Sequence, residues 1–148
     1  MKINVLPRPT LLSIIAHARS GALDHAWRLF RRAGYDTDQD DPAVLSVKGR
    51  LLKDRALAAE GEERRQLYLL AAQAYTRAGE INGATHPWIN AASLSLLAGR
   101  VEVAHTLAQK VLERLDRPEE GADTPYWREA TRAEALLLQG AWRRLTPP

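Results

Sequence analysis

The sequence predicts an all-α fold built from stacked helical hairpins, and three observations carry that prediction. Apolar residues are 45% of the chain, and alanine and leucine dominate them while valine and isoleucine are sparse, so helix formers outweigh strand formers. Apolar and small residues recur at helical spacing over residues 66–79, through Leu69, Ala72, Tyr75 and Ala78. Within that stretch Ala71, Tyr75 and Ala78 set a small, an aromatic and a small residue on one helix face, and Ala26, Phe30 and Ala33 carry the same pattern earlier. Two copies of one face indicate a hairpin unit used more than once, which is the sequence signature of a stacked helical array.

At 148 residues the chain fits a single domain, 1–148, long enough to bury roughly 68–70% of the surface its unfolded form exposes. It has no cysteine, which removes disulfide frameworks, thiolate metal sites and a cysteine nucleophile together and fits a cytoplasmic protein. Basic residues outnumber acidic ones 21 to 18 for a net charge of +3, yet the signs intermingle, as over residues 60–65 and 114–120. A nucleic-acid binder would gather its arginines on one face, whereas this mixture reads as solvated surface. Lys2, the mostly apolar residues 11–16 and the Ala16-His17-Ala18 triplet imitate a secretory signal. Arg8, between Pro7 and Pro9, interrupts the part of such a signal that has to be apolar. No run approaches 18 apolar residues, so no membrane span is expected.

In chain order, Thr10 supplies the N-cap of a first helix whose apolar stripe is Leu11, Ile14, Ile15 and Ala18, and Ser20-Gly21 stops it. A second helix over about residues 22–33 buries Leu23, Ala26, Leu29, Phe30 and Ala33 and ends at Gly34, closing a hairpin of about 9–34. The acids among residues 36–41 begin like a calcium loop, but Asp41 stands where that loop needs glycine and Val47 where it needs a bidentate glutamate. They read as a polar linker whose last acid caps the third helix, with Pro42 in its first turn.

The third helix, residues 42–58, carries Val44, Leu45, Val47, Leu51, Leu52 and Leu57 around a central Gly49. Glycine costs a helix interior about 1 kcal/mol against alanine, so a neighbouring helix is expected to approach closely at Gly49. A fourth helix, about 63–78, completes the hairpin 42–79, and residues 81–86 form a linker with Gly83. The fifth helix, 87–98, and the sixth, 101–115, make the hairpin 87–117, the sixth presenting Val103, Ala104, Leu107, Val111 and Leu115 before Arg117-Pro118 ends it. After a polar loop over 119–124, a seventh helix at 125–139 holds Trp127, Ala130, Ala133 and Leu137 on one side. A short eighth covers 141–145 in the last hairpin, 125–145, before Thr146-Pro147-Pro148 terminates the pattern.

The unit can be measured from its small residues. Ala26 to Ala71 is 45 residues and Ala71 to Ala104 is 33, against about 34 for tetratricopeptide repeats, so the second hairpin is the long one, with its surplus around residues 56–65. The third copy has Ala108 in place of the aromatic. The fold class is thus a tetratricopeptide-like superhelix of α-α hairpins with about seven to eight helices.

Three short motifs occur in order: Gly49-Arg50-Leu51-Leu52-Lys53-Asp54-Arg55, then Ile89-Asn90-Ala91-Ala92 closing on Leu97-Ala98-Gly99, then Tyr126-Trp127 followed by Ala130-Thr131 and Glu134-Ala135. Over roughly residues 35 to 145 the chain thereby resembles the tetratricopeptide-type, TRAF-binding (central regulatory) region of the apoptosis signal-regulating kinases and its bacterial relatives. It departs at Leu52, where an aromatic is usual. Lacking a glycine-rich phosphate loop and a catalytic Asp-Asn pair, the chain resembles the scaffold part alone, and TRAF binding itself does not carry over.

Stacked hairpins leave a concave face, lined by the first helix of each pair, that can hold an extended peptide or a partner helix. Setting the third, fifth and seventh helices there gathers Arg50, Lys53 and Asp54 with Asn90 and Ser93, and with Arg128 and Arg132. Such a basic, hydrogen-bonding groove suits an acidic segment or a terminal carboxylate, which arginine pairs bidentately. The plainer alternative pairs Arg50 with Asp54 at i,i+4 and spends Asn90 on a neighbouring backbone. Trp27, Trp88 and Trp127 fall where inter-helix packing belongs, whereas Trp142, near the end of the array, is the candidate for an exposed homodimer interface.

His17, His25, His86 and His105 are scattered, no metalloprotease, nucleophile-elbow or phosphate-loop motif occurs, and the Glu62-Glu63 and Glu119-Glu120 pairs sit on exposed turns. No catalysis, cofactor or metal is therefore expected. The sequence reads as a non-catalytic interaction scaffold for a protein or peptide, with a structural homo-oligomer as the alternative and nucleic-acid binding third.

Overall fold

The computed structural model describes residues 9–37, 40–117 and 125–145. Among them are seven helices and no strand: α1 (Leu11–Arg19), α2 (Leu23–Arg32), α3 (Pro42–Ala58), α4 (Gly61–Asn82), α5 (Thr85–Leu97), α6 (Val101–Leu115) and α7 (Pro125–Leu145). The first and third begin at side-chain caps, whereas α2 begins at Ala22 without one. The Thr10 hydroxyl accepts from Ser13 N at 3.1 Å, and Asp41 Oδ1 accepts from Ala43 N at 2.9 Å with Pro42 in the first turn of α3. Two other linker acids are engaged too, Asp36 by Lys48 at 2.8 Å and Asp40 by Arg77 at 3.0 Å. The expected calcium-like positions 38–39, the polar loop 119–124, the proline at 118 and the terminating residues 146–148 lie outside the described residues.

Helices pack on their successors from α1 to α7, with second-neighbour contacts at α1–α3 and α5–α7, as a chain of hairpins requires. Two apolar clusters result. Ile14 and Ala18, Ala26 and Phe30, and Val44, Val47 and Leu51 join α1, α2 and the near side of α3. Leu52 and Ala56 on the other side of α3 open a larger cluster that runs through Tyr68, Tyr75, Ile89, Leu94, Leu107 and Val111 to Ala135 and Leu138. Trp27 touches both clusters, with the Arg55 guanidinium 5.1 Å above its ring. All three small-residue faces are buried: Ala26, Phe30 and Ala33 in α2 and its cap, Ala71, Tyr75 and Ala78 in α4, and Ala104, Ala108 and Val111 in α6.

The close approach expected at Gly49 is made by Tyr75 of α4, since a Cβ at that glycine would lie 2.6 Å from ring carbons of the tyrosine. Gly79 of α4 receives the Trp88 indole of α5 in the same way, a Cβ there falling well inside contact distance of Cδ1, Nε1 and Cγ of the ring. Glycine thus occurs twice where a ring has to rest on helix backbone.

The structure revises several boundaries and faces. The surplus of the second hairpin lies mainly in α4, 22 residues long, which starts at Gly61 and runs past the expected end to Asn82. The linker over 81–86 shrinks accordingly to Gly83, in the left-handed region at φ +66°, and Ala84. No break separates a seventh from an eighth helix: α7 continues through Gly140, because its far end still packs on α6. Its buried side is Thr131, Ala135, Leu138 and Gln139 rather than Trp127, Ala130, Ala133 and Leu137, and Leu57 and Val103 are exposed.

Candidate functional site

An α-helix advances about 100° per residue, so residues spaced 3 and 4 apart form stripes. On α3 one stripe faces the first hairpin, a second faces α4, and a third is left uncovered: Ser46, Arg50, Lys53 and Leu57. On α5 the uncovered stripe is His86, Asn90, Ser93 and Leu97. On α7 it is Trp127, Ala130, Glu134 and Leu137. One hydrogen bond joins two of these stripes, since the Ser93 hydroxyl donates to Glu134 Oε1 at 2.7 Å across the α5–α7 contact. Each stripe also exposes a leucine, Leu57, Leu97 and Leu137 being 61%, 63% and 72% accessible.

The residues singled out in the sequence separate into groups. Arg50, Lys53 and Asp54 are half-buried on α3, and none of them has a hydrogen bond or ion pair among the described residues; the expected Arg50–Asp54 pair is not among the ion pairs seen there. Beneath them is the Tyr75 hydroxyl, whose pKa is pushed up to about 12 by burial, with Arg50 opposing and Asp54 reinforcing the shift. Asn90 turns back on its own helix, its Nδ2 donating to His86 O at 3.1 Å and lying 3.2 Å from His86 Nε2.

Arg128 and Arg132 leave this face. Arg128 Nη2 donates to the carbonyls of Leu115 and Arg117, and Arg132 Nη1 meets Asp116 Oδ1 at 3.2 Å, so both close the C-terminal end of α6. Trp142 is half-buried and stacks on His105, ring centroids 4.4 Å apart, while Trp127 is 59% accessible on the uncovered stripe. The two tryptophans thus exchange the positions expected of them. His86, Glu134 and the three leucines were not read as site residues. The i, i+4, i+7, i+11 spacing of His86, Asn90, Ser93 and Leu97 could have found the first, had the fifth helix been started at Thr85.

Among the described residues no helix is long and apolar enough to cross a membrane. No curated protein and no solved structure gives a significant match to the chain. The family described as Tetratricopeptide Repeats-Sensor matches residues 10–95, more than half of the 148, from α1 to near the end of α5. Domains of the tetratricopeptide type generally bind proteins or peptides and generally do no catalysis. Seven stacked helices bearing a buried, repeated small-aromatic-small face, together with that match, make this chain a member of the Tetratricopeptide Repeats-Sensor family.

Proposed function

We propose that the chain acts as one non-catalytic scaffold unit that seats a peptide or partner segment along the uncovered face of α3, α5 and α7, and that this binding is the event its family name calls sensing. The observation that carries the reading is Arg50 and Lys53, half-buried and without a hydrogen bond or ion pair among the described residues, on a stripe of α3 that continues in the exposed Leu57. A half-desolvated cation without a partner gains most from an incoming carboxylate, and exposed leucines gain from an apolar side chain beside it. An acidic segment with interspersed apolar residues fits both requirements. Its acids lie over α3, and its apolar side chains meet Leu57, Leu97, Leu137 and Trp127. Asp54 orients the segment as an acceptor, and Asn90 and Ser93 do so through oxygens that can still accept, their N–H and O–H being directed to His86 and Glu134. In this reading the chain is a cytoplasmic scaffold comparable to the central regulatory region of the apoptosis signal-regulating kinases, without a commitment to their partners.

The test is affinity capture from lysate of the source cell, with the wild type compared against an Arg50→Glu, Lys53→Glu double variant of equal helicity by circular dichroism. A partner kept by the wild type and lost by the variant supports the groove. Identical recoveries, or none with either bait, refute it.

One observation favours self-association as a second reading. Tyr126, Leu136, Leu137 and Leu145 leave α7 with an apolar side that no described helix covers, and a second copy packing there would bury it. A sedimentation mass equal to the monomer at about 0.1 mM would remove that reading.

A further inference from the structure

Helix α7 has two stripes, one covered and one open. Thr131, Ala135 and Leu138 are buried where it packs on α6, and Glu134 is tied to α5 through Ser93. On the opposite side stand Tyr126, Ala130, Ala133, Leu137, Gly140 and Arg144, spaced 4, 3, 4, 3 and 4 residues apart. That is the a/d spacing of a helix seam, whose side chains interlock with those of a second helix, here over about 27 Å. Tyr126 and Leu137 are 73% and 72% accessible, Ala130, Ala133 and Arg144 are exposed, and only the last member of the stripe carries a charge.

The glycine in this seam has no explanation within the fold. Gly49 and Gly79 each seat a ring of the next helix, whereas a Cβ at Gly140 would meet, among the described residues, only Arg144 Nη1 at 3.7 Å. Glycine weakens a helix interior, and no described contact offsets that cost at position 140. With Ala130 and Ala133 it keeps the seam low, so that a second helix backbone can approach closely. The spacing of the seam also reads the same from either end. In an antiparallel pair centred level with residue 135, Tyr126 meets Arg144, Ala130 meets Gly140 and Ala133 meets Leu137, each contact occurring twice. A ring then lies against a guanidinium, two small residues face each other, and a leucine covers an alanine.

Charge on the flank favours the same register. Glu129 and Arg143 lie on one side of the seam, the side away from Glu134 and α5, and the antiparallel pair sets Glu129 of one copy opposite Arg143 of the other. Arg143 and Arg144 have no hydrogen bond or ion pair among the described residues, and Glu129 has only the approach of Arg132 at 4.0 Å. A parallel pair would separate Glu129 from Arg143 by about 21 Å, and a slip of one heptad would separate them by about 10 Å or more.

We propose that two copies of the chain pair through α7, antiparallel about a two-fold axis level with residue 135. The pairing rests on the self-association reading above and gives it a surface, a direction and a register. Leu137 then belongs to the pair, and the groove keeps α3 and α5. One helix pair of this length buries less than the roughly 1,200–2,000 Å² of a standard interface, so the dimer is weak, with a Kd of about 10–100 µM.

Sedimentation equilibrium on the full chain tests the pairing, with the helicity of every variant checked by circular dichroism. Glu129→Arg and Arg143→Glu each set like charges opposite one another twice per dimer and should weaken association at least about fivefold. The double variant restores both pairs and should return to within about twofold of the wild type. Disulfide capture gives the direction, because the chain has no cysteine of its own. Ala130→Cys and Ala141→Cys, mixed under mild oxidation, should link to each other, whereas neither should link to its own kind, since like positions lie about 15 Å or more apart. A monomer at about 0.1 mM removes self-association and this pairing together. A dimer indifferent to the charge variants, a double variant as weak as the singles, or a disulfide between two copies of the same cysteine variant overturns the pairing and leaves self-association standing.

Discussion

Gly49→Ala is the substitution whose sign the structure decides most sharply. In an exposed helix interior the change stabilises by about 1 kcal/mol, because alanine loses less backbone entropy. At position 49 the added methyl would stand 2.6 Å from Tyr75 Cδ2 and Cε2 and 3.0 Å from Cγ. Contact with Cγ means the body of the ring has to move, not just its tip. Tyr75 is 5% accessible and belongs to the larger apolar cluster, so it has little room to yield. Overpacking of this kind costs about 1–3 kcal/mol, which sets the net effect between neutrality and about 2 kcal/mol of destabilisation. For a chain of this size that lowers Tm by up to about 6 °C.

A double-mutant cycle isolates the cause. Tyr75→Leu removes the ring and costs stability by itself, but in its background Gly49→Ala should recover the ordinary helix gain, giving a coupling of about 1–3 kcal/mol. Urea unfolding of the four proteins, followed by circular dichroism at 222 nm, measures every corner of the cycle. If Gly49→Ala alone raises the midpoint, or if the two changes add without coupling, the close approach is not what keeps glycine at position 49.

Two further predictions follow from single side chains. Burial holds the Tyr75 pKa at about 12 against the ordinary 10.0, so the folded state keeps its proton more tightly than the unfolded one. The resulting stability, about 2–3 kcal/mol, is fully present below pH 10 and is lost as pH rises towards 12; Tyr75→Phe should flatten that part of a stability-versus-pH curve, and an unchanged slope would refute the assignment. Arg64 donates from Nε to Ala56 O at 3.1 Å and to Ala59 O at 2.7 Å, and from Nη2 to Leu57 O at 3.3 Å, closing the C-terminal end of α3. Arg64→Ala should cost about 0.5–1.5 kcal/mol in urea unfolding, whereas Arg64→Lys, a single ammonium in place of a fork, recovers only part of it.

What was legible in the sequence was whatever one helix states by itself. Ala71, Tyr75 and Ala78 predict a buried face because their spacing fits a 3.6-residue turn, and Gly49 predicts a close neighbour because a helix tolerates glycine only at a cost. Helix α7 was harder to read. Trp127, Ala130, Ala133, Leu136, Leu137, Leu138, Ala141 and Trp142 place apolar groups almost all round it, so no single face stands out. The covered side is decided by where α6 lies, and this is why Trp127 and Trp142 exchange positions. The break expected between residues 139 and 141 falls at Gly140, where a Cβ would meet only Arg144 Nη1 at 3.7 Å, so this glycine marks neither a turn nor a tight contact within the chain. The candidate groove lay between these cases. Arg50 and Lys53 share the uncovered stripe of α3, as the spacing of the third helix alone implies, whereas Arg128 bonds the Leu115 carbonyl and Arg132 the Asp116 carboxylate at the end of α6, a helix end that the sequence could not align with them.

The relative placement of α3, α4 and α5 rests on packing rather than on charge. Tyr75 of α4 is seated on Gly49 of α3, and Trp88 of α5 is seated on Gly79 of α4, so the position of α5 relative to α3 passes through two contacts between a ring and a bare backbone. Such contacts have no flexible side chain to absorb a shift, and close-packed interiors transmit displacement instead of damping it. Arg50 and Lys53, on α3 beside this chain of contacts, have no hydrogen bond or ion pair among the described residues, so the register of the helices does not depend on them. The same arrangement explains why glycine occupies two helix interiors at once, at about 1 kcal/mol each. The cost is offset by the burial of Tyr75 and Trp88 against neighbouring backbone, a gain that neither α3 nor α4 could obtain from an alanine at those positions.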